Sequence, residues 1–165
     1  MKAEAIFKEL GLEYEPMKVK GNSAPRFKAR VEPDKLENII LKFKENGFNH
    51  FVAMSCVDWI KDGNLELIYH LFSYEHMEDV FLSIYLPRDA PEFKSLRHIF
   101  PQLETYERET HEMFGVNFEG NDRLGNFILE DWSDMPPMRK DFDTVKYAKE
   151  HYEDVPLVEE EGDEK

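Results

Sequence analysis

The sequence holds a single cysteine, Cys56, in 165 residues. One thiol cannot close an internal disulfide, supply the four thiolates of an iron–sulfur cluster, or build a structural zinc site of thiolates and imidazoles. Cys56 lies in Phe51-Val52-Ala53-Met54-Ser55-Cys56-Val57, a run of strand formers, and reads as a small buried hydrophobe. Long apolar runs are missing too. The longest uncharged window, Asn46 to Val57, has twelve residues, whereas a membrane-spanning helix needs about 20. The chain opens on Met1-Lys2-Ala3-Glu4 and an amphipathic stretch rather than an apolar block, so the expectation is an intracellular protein that does not itself cross a membrane. Basic residues are also scarce, 21 against 35 acids, a net charge of −14. Such a field repels phosphate backbones and anionic lipid heads, which argues against nucleic-acid partners. No glycine-rich phosphate cradle occurs, neither a P-loop nor a dinucleotide fingerprint.

What is present suffices for one soluble domain: 41% hydrophobic and 34% charged residues, in a chain long enough to bury about 70% of its unfolded surface. Spacing predicts a helix over 2–11 and a half-exposed strand over 26–31. A second helix, over 34–46, has Leu36, Ile39, Ile40 and Phe43 on one face and Gly47 as its stop. Strands follow over 49–59, 65–72 and 80–86, the first pair joined at the hairpin signal Asp62-Gly63-Asn64. The expected fold is α+β, a mainly antiparallel sheet with helices packed on one face, followed by an extended C-terminal arm. Two further helices are expected over 91–100 and 103–114. In the latter, Leu103, Tyr106, Thr110 and Met113/Phe114 trace one face and Glu104, Glu107, Arg108, His111 and Glu112 the other, with Glu104–Arg108 and Arg108–Glu112 as supporting pairs. The expected division is a globular domain over 1–115, an arm over 116–149 and an acidic tail over 150–165, which holds eight acids and one lysine.

Candidate chemistry is thin. His111-Glu112-Met113-Phe114-Gly115 starts like the His-Glu-x-x-His of a zinc protease, but Gly115 stands where the second ligand is required. The remaining histidines show no ligand spacing, and His70, between Tyr69 and Leu71, reads as a hydrogen-bonded strand residue. Glu107-Arg108-Glu109 admits an acid–base reading, with Glu107 and His111 as the working pair of a free-standing hydrolase, or an ion-pair network on a helix face. The turn from Asn121 to Asn126 lacks the ligand pattern of a calcium loop. Aromatic content is the distinctive feature: 13 Phe, 7 Tyr and 2 Trp, with Phe114, Phe118, Phe127, Trp132 and Phe142 in a region rich in turns and proline. Pro136-Pro137 excludes both helix and central strand there. Trp132, Met135, Met138 and Arg139 on such a segment suit a strap over a partner or, equally, a wrap around their own domain.

These residues carry a pattern. Glu107-Arg108-Glu109, Glu112-Met113-Phe114-Gly115-Val116 with Phe118 and Gly120, then Asp131-Trp132, Pro137 and Arg139-Lys140-Asp141-Phe142 resemble the 30-kilodalton-subunit family of respiratory complex I. Upstream, Val57-Asp58, Tyr69-His70-Leu71 with Ser73, and Pro91 with Ser95 match that family's landmarks, so the likeness spans 34–142. The resemblance implies a cofactor-free, non-catalytic scaffold subunit in the peripheral arm of a membrane-bound, ion-translocating oxidoreductase. It would pack on a hydrogenase-like large subunit, with other peripheral-arm subunits as neighbours, on the cytoplasmic face of the cell membrane. Iron–sulfur clusters, and in the hydrogenase branch a nickel–iron centre, would sit in the partners. It also implies a partner interface made of Glu107, Arg108, Glu109, Phe114, Phe118, Trp132, Met135, Pro137, Met138, Arg139, Lys140 and Phe142. The family usually reads Gly-His-Pro-Asp-Leu-Arg-Arg where this chain has Gly120-Asn121-Asp122-Arg123-Leu124-Gly125-Asn126, and Pro where Asp143 stands. Two lost cations and a lost rigid turn point to an energy-converting hydrogenase or a related ferredoxin-fed sulfur-reducing complex, with an NADH/quinone-type complex I as the alternative. A third expectation is a soluble acidic adaptor that binds through its tail.

Overall fold

A computed structural model describes residues 1–18, 21, 24–132 and 134–152. Its elements are α1 (Lys2–Glu9), β1 (Glu15–Pro16), β2 (Arg26–Arg30), a 3₁₀ turn at Pro33–Lys35, α2 (Leu36–Glu45), β3 (His50–Trp59), β4 (Asn64–Ser73), β5 (Glu78–Pro87), β6 (Glu92–Lys94), α3 (Leu103–Phe114), β7 (Asn117–Glu119) and α4 (Thr144–His151). The five-stranded sheet has the order β1-β2-β5-β4-β3, with β3, β4 and β5 an antiparallel meander and β2 joined to β5 in parallel. The α+β class with a mainly antiparallel sheet is thus as the sequence predicts.

Strand alternation divides the sheet into two faces. One set of side chains, among them Phe27, Leu67, Tyr69, Leu82 and Ile84, enters a single core with Ile6 and Phe7 of α1, Ile39, Ile40 and Phe43 of α2, and Leu103 of α3. Phe7 is its aromatic hub, stacked on Tyr14 and tilted against Phe43, each at 5.0 Å between ring centres. Glu78 ties α1 to the sheet by accepting the first helical amides, from Lys2 at 2.9 Å and Ala3 at 2.8 Å. Those donors would otherwise be orphans. In β3 a bulge between Phe51 and Ala53 leaves Val52 out of register, and the Tyr106 hydroxyl of α3 donates to its carbonyl at 3.2 Å.

The helix expected over 91–100 is not formed. Pro91 leads into β6, which pairs in parallel with β7, and turns follow. The helical signal comes from Phe93, Leu96, Ile99 and Phe100, whose spacing mimics a helix face, and all four are buried in the core. A short strand and a turn satisfy that burial equally well, and the β6–β7 pairing supplies the backbone bonds. The core also runs past 115: Val116 and Phe118 are 0% and 1% exposed. A cut after Gly115 would therefore remove β7 and part of the core along with the arm. Within 116–149 the chain is irregular after β7 until α4, a helix where the sequence predicts an extended segment. Asp143 caps it by accepting the Lys146 amide at 2.9 Å. The acidic tail lies outside the described residues from 153 onward.

Gly115 closes α3 in the left-handed conformation, φ 76°, with its amide donating to the His111 carbonyl at 2.8 Å. A Cβ there would stand 3.0 Å from Pro136 Cγ and 3.3 Å from Arg139 Nη2, so the position is closed to side chains by conformation and by the arm. Gly115→Ala is expected to lower stability by about 1–2 kcal/mol, read as a lower urea midpoint at unchanged slope.

Candidate partner interface

The chain beyond β7 makes no further strand among the described residues, so its amides need other partners. Carboxylates of the globular domain supply them. Glu112 of α3 accepts three successive amides, from Phe127 and Ile128 at 2.8 Å and Leu129 at 3.2 Å. Burial works against its charge, but these donors and nearby Arg108 prevail and hold the carboxyl below its usual range. Further on, Asp58 of β3 accepts the Lys140 amide at 2.9 Å and both arms of the Arg88 guanidinium, at 2.8 and 3.0 Å. Arg88 also reaches Asp141, so two acids on opposite sides of the junction share one cation. The Arg88 hydrogen bonds keep the Asp58 carboxyl low despite burial. Arg139 donates to the Phe114 carbonyl at 2.8 Å, and the Met138 amide donates to the Met113 carbonyl at 3.0 Å. Arg108 lies over the Phe127 ring, 4.4 Å from its centre, and donates to the Asn126 carbonyl at 3.3 Å.

The distal part of the arm carries its own small cluster. Trp132 meets Phe142 at 5.5 Å and Tyr147 of α4 at 4.8 Å, and Tyr147 stacks on His151 at 4.0 Å. The Trp132 indole N–H donates to the carbonyls of Asp134 and Met135, both at 3.1 Å. These rings find one another, while other apolar side chains of the arm turn outward: Ile128 is 54%, Met138 57% and Val145 52% exposed. The segment thus wraps its own domain in part and leaves other side chains exposed. Backbone amides and Arg139 bind the domain, Leu124 packs against its core, and Ile128, Met135 and Met138 face solvent.

The residues singled out from sequence fall into three groups. Glu109, Met135, Met138 and Lys140 are exposed; Arg108, Phe114, Trp132, Pro137, Arg139 and Phe142 are half-buried; Glu107 and Phe118 are enclosed. The last two are corrections, since neither presents any surface. Phe118 sits in the core through β7. Glu107 stands one turn from Leu103 and faces inward, accepting Ser95 Oγ at 2.7 Å, the Leu96 amide at 2.9 Å and Asn121 Nδ2 at 2.9 Å. Burial pushes its carboxyl up, and these donors oppose the shift. The expected pairs Glu104–Arg108 and Arg108–Glu112 do not close among the described residues: Glu104 binds Arg97 and Arg123, and Glu112 takes the arm's amides. The sequence does not single out Ile128, Val145 and Tyr152 as exposed apolar groups, nor Asp58 and Arg88 as the arm's anchor. The isolated Val57-Asp58 is the one available signal.

Hydrolytic chemistry gains no support from this geometry. Glu107 is sealed from solvent, and the His111 ring binds the Val116 carbonyl through Nδ1 at 2.9 Å. The Cys56 thiol is pushed up to about 12 by burial, with Asp58 adding to the effect, which leaves it protonated and a poor nucleophile. His70 binds Asp79 at 2.6 Å and stacks on Phe81 at 4.1 Å, a strand histidine as expected.

Residues 29–148 match the family described as respiratory-chain NADH dehydrogenase, 30 Kd subunit. The chain belongs to this family. It is 35% identical over 122 residues to the C-type subunit of the F(420)H(2) dehydrogenase of Methanosarcina mazei, covering 72% of this chain and 76% of that one. It is 34% identical over 113 residues to the C-type subunit of the NADH-quinone oxidoreductase of Moorella thermoacetica, covering 68% and 76%. Among solved structures, a chain of the membrane-bound sulfane sulfur reductase, an archaeal respiratory membrane complex, superposes with a TM-score of 0.82 at 32% identity, covering 99% of this chain and 96% of that one. A tryptic fragment of Nqo5 superposes with a TM-score of 0.62 at 18% identity, a likeness of fold alone. The resemblance seen in the motifs is thus confirmed, and the chain is a C-type subunit of the kind found in complex I-like respiratory complexes.

Two outcomes follow for the polar anchors. Glu107→Gln places an amide donor against the Leu96 N–H or the Asn121 amide, and is expected to cost about 1–3 kcal/mol in urea unfolding. Asp58, whose ordinary value is 3.8, is lowered on folding, so its stabilisation is complete above that value and lost as pH falls through the lower folded one. Asp58→Asn should cost about 1.5–3 kcal/mol at pH 7 and speed amide exchange at Lys140, with the wild type approaching the variant only once pH has fallen below the usual carboxylate range.

Proposed function

We propose that this chain is a non-catalytic scaffold subunit in the peripheral arm of a membrane-bound, ion-translocating oxidoreductase, docked on the hydrogenase-like large subunit and lying at the cytoplasmic face. The observation that carries this reading is the pre-built arm. Carboxylates and arginines of the globular domain use their hydrogen bonds to hold 127–129 and 140–141 in place, and the side chains left outward, Ile128, Met135 and Met138, are available for a protein–protein interface. A segment already ordered loses little freedom on docking, which favours a permanent contact. Family membership supports the setting. The sulfane sulfur reductase chain aligns almost end to end, which favours the ferredoxin-fed, sulfur-reducing or hydrogen-evolving branch over an NADH-linked one. No described helix is long and apolar enough to cross a membrane, so attachment would run through partners. Redox centres, iron–sulfur clusters and in a hydrogenase a nickel–iron site, would belong to those partners.

Pull-down of the full-length chain from solubilised membranes, with identification of companions and metals, tests this assignment. Nickel in the companions would select the hydrogenase branch, and a flavin subunit with a nicotinamide site would restore the NADH-linked alternative. Met138→Asp is expected to reduce recovery of the large subunit at least about tenfold, equivalent to about 1.4 kcal/mol. Undiminished recovery would remove the arm from the interface.

A further inference from the structure

The sheet's second face carries no helix among the described residues. Side chains that alternate with the core set emerge there: Arg26 and Lys28 from β2, Ile68 and His70 from β4, Phe81 and Tyr85 from β5, all half-exposed. Between Ile68, His70, Phe81, Ala53, Ser55 and Met17 lies a depression of about 290 Å³ with a mainly apolar floor, and Lys28 stands at its rim. Such a pit in an open sheet is a receptacle for one apolar side chain.

Charge on this face is layered. Lys28 binds Glu66 at 2.9 Å and Arg26 binds Asp79 at 3.3 Å, yet the carboxylates are only 2% and 8% exposed while the cations are 36% and 27% exposed. Within these pairs the carboxylates are submerged and the cations partly exposed, while Glu15 of β1, the cross-strand neighbour of Lys28, is exposed beside it. Among the described residues Arg30 meets no carboxylate; its guanidinium covers the Tyr85 ring at 4.3 Å and donates to the hydroxyl at 3.2 Å. Toward the sheet's other edge, on β3, Trp59, whose indole donates to Glu66 at 2.9 Å, lies 5.9 Å from the Lys140 ammonium of the arm. Cations thus run from the arm across the face to Arg30, on a chain whose net charge is −14.

We infer that this face is a second docking surface, continuous with the arm, for a neighbouring protein subunit that seats one apolar side chain between Ile68 and Phe81 and sets carboxylates against Lys28 and Arg30. The inference rests on the scaffold reading above. An apolar pit with an Arg–Tyr pair on the same face has the composition of a protein contact, and carboxylates are the groups that Lys28 and Arg30 complement. The acidic field of the remaining surface disfavours phosphate polyanions and anionic bilayers. The scaffold then grips its surroundings along the arm and over the sheet.

The test places the photoreactive residue p-benzoylphenylalanine at the exposed position 55 of the full-length chain in the assembled complex. Irradiation is expected to yield an adduct with another subunit. Adducts to lipid, to this chain alone, or none would overturn the inference. Arg30→Glu with Ser55→Glu should reduce recovery with the solubilised complex about tenfold, more strongly at low salt, with the chain's level in lysate unchanged. Loss of recovery with Met138→Asp but not with this pair would reject the sheet surface and keep the arm. Full recovery with both would reject the scaffold reading itself.

Discussion

Everything distinctive in this molecule depends on how an irregular segment pairs its backbone. From Asn121 to Phe142 the described chain has neither helix nor ladder, yet its amides approach a packed domain. Glu112 and Asp58 resolve the conflict by accepting them, Glu112 three in a row and Asp58 one beside a bidentate arginine. A carboxylate offers about four acceptor positions, so one side chain can stand in for a stretch of missing strand. The arm's path is therefore set largely by acids on α3 and β3, with Arg108 over the Phe127 ring and Arg139 on the Phe114 carbonyl adding to them.

The same economy recurs inside the domain. Glu107 joins α3 to the β6 loop and to the turn after β7 through three donors, in a site with no access to solvent. What resembles catalytic machinery in sequence acts as a rivet in space, and its raised proton affinity is a consequence of enclosure rather than a tuned acid. The polar groups that could have served chemistry are consumed in holding shape.

Much of the fold is legible directly. The runs of strand formers over β3, β4 and β5, the Asp62-Gly63-Asn64 turn, and the helix stops at Gly47 and Gly115 are local signals with local causes, and all appear where expected. The misreadings share a different origin. Phe93, Leu96, Ile99 and Phe100 have helical spacing, but their backbone is recruited by β7, a partner some 25 residues away that carries only three paired residues. Glu107 sits at a position that a charge-based face assignment makes polar; its inward orientation becomes sensible only once Ser95 and Asn121 converge on it. Phe118, counted among contact aromatics, is enclosed because β7 pairs with β6 and carries its ring into the core.

Cysteine count, charge balance and the short apolar windows settle from sequence alone that the chain lacks the thiolates for a cluster or a disulfide and shows no apolar run long enough to span a membrane, because these are matters of inventory. The Glu-Arg-Glu to Met-Phe-Gly block and the Arg-Lys-Asp-Phe run likewise disclose the family. Tertiary structure alone decides which of those motif residues are rivets, which are anchors and which face outward. Burial and hydrogen-bond pairing are properties of neighbours brought together over 76 or 82 residues of chain, as between Lys2 and Glu78 or Asp58 and Lys140, and no local pattern encodes them.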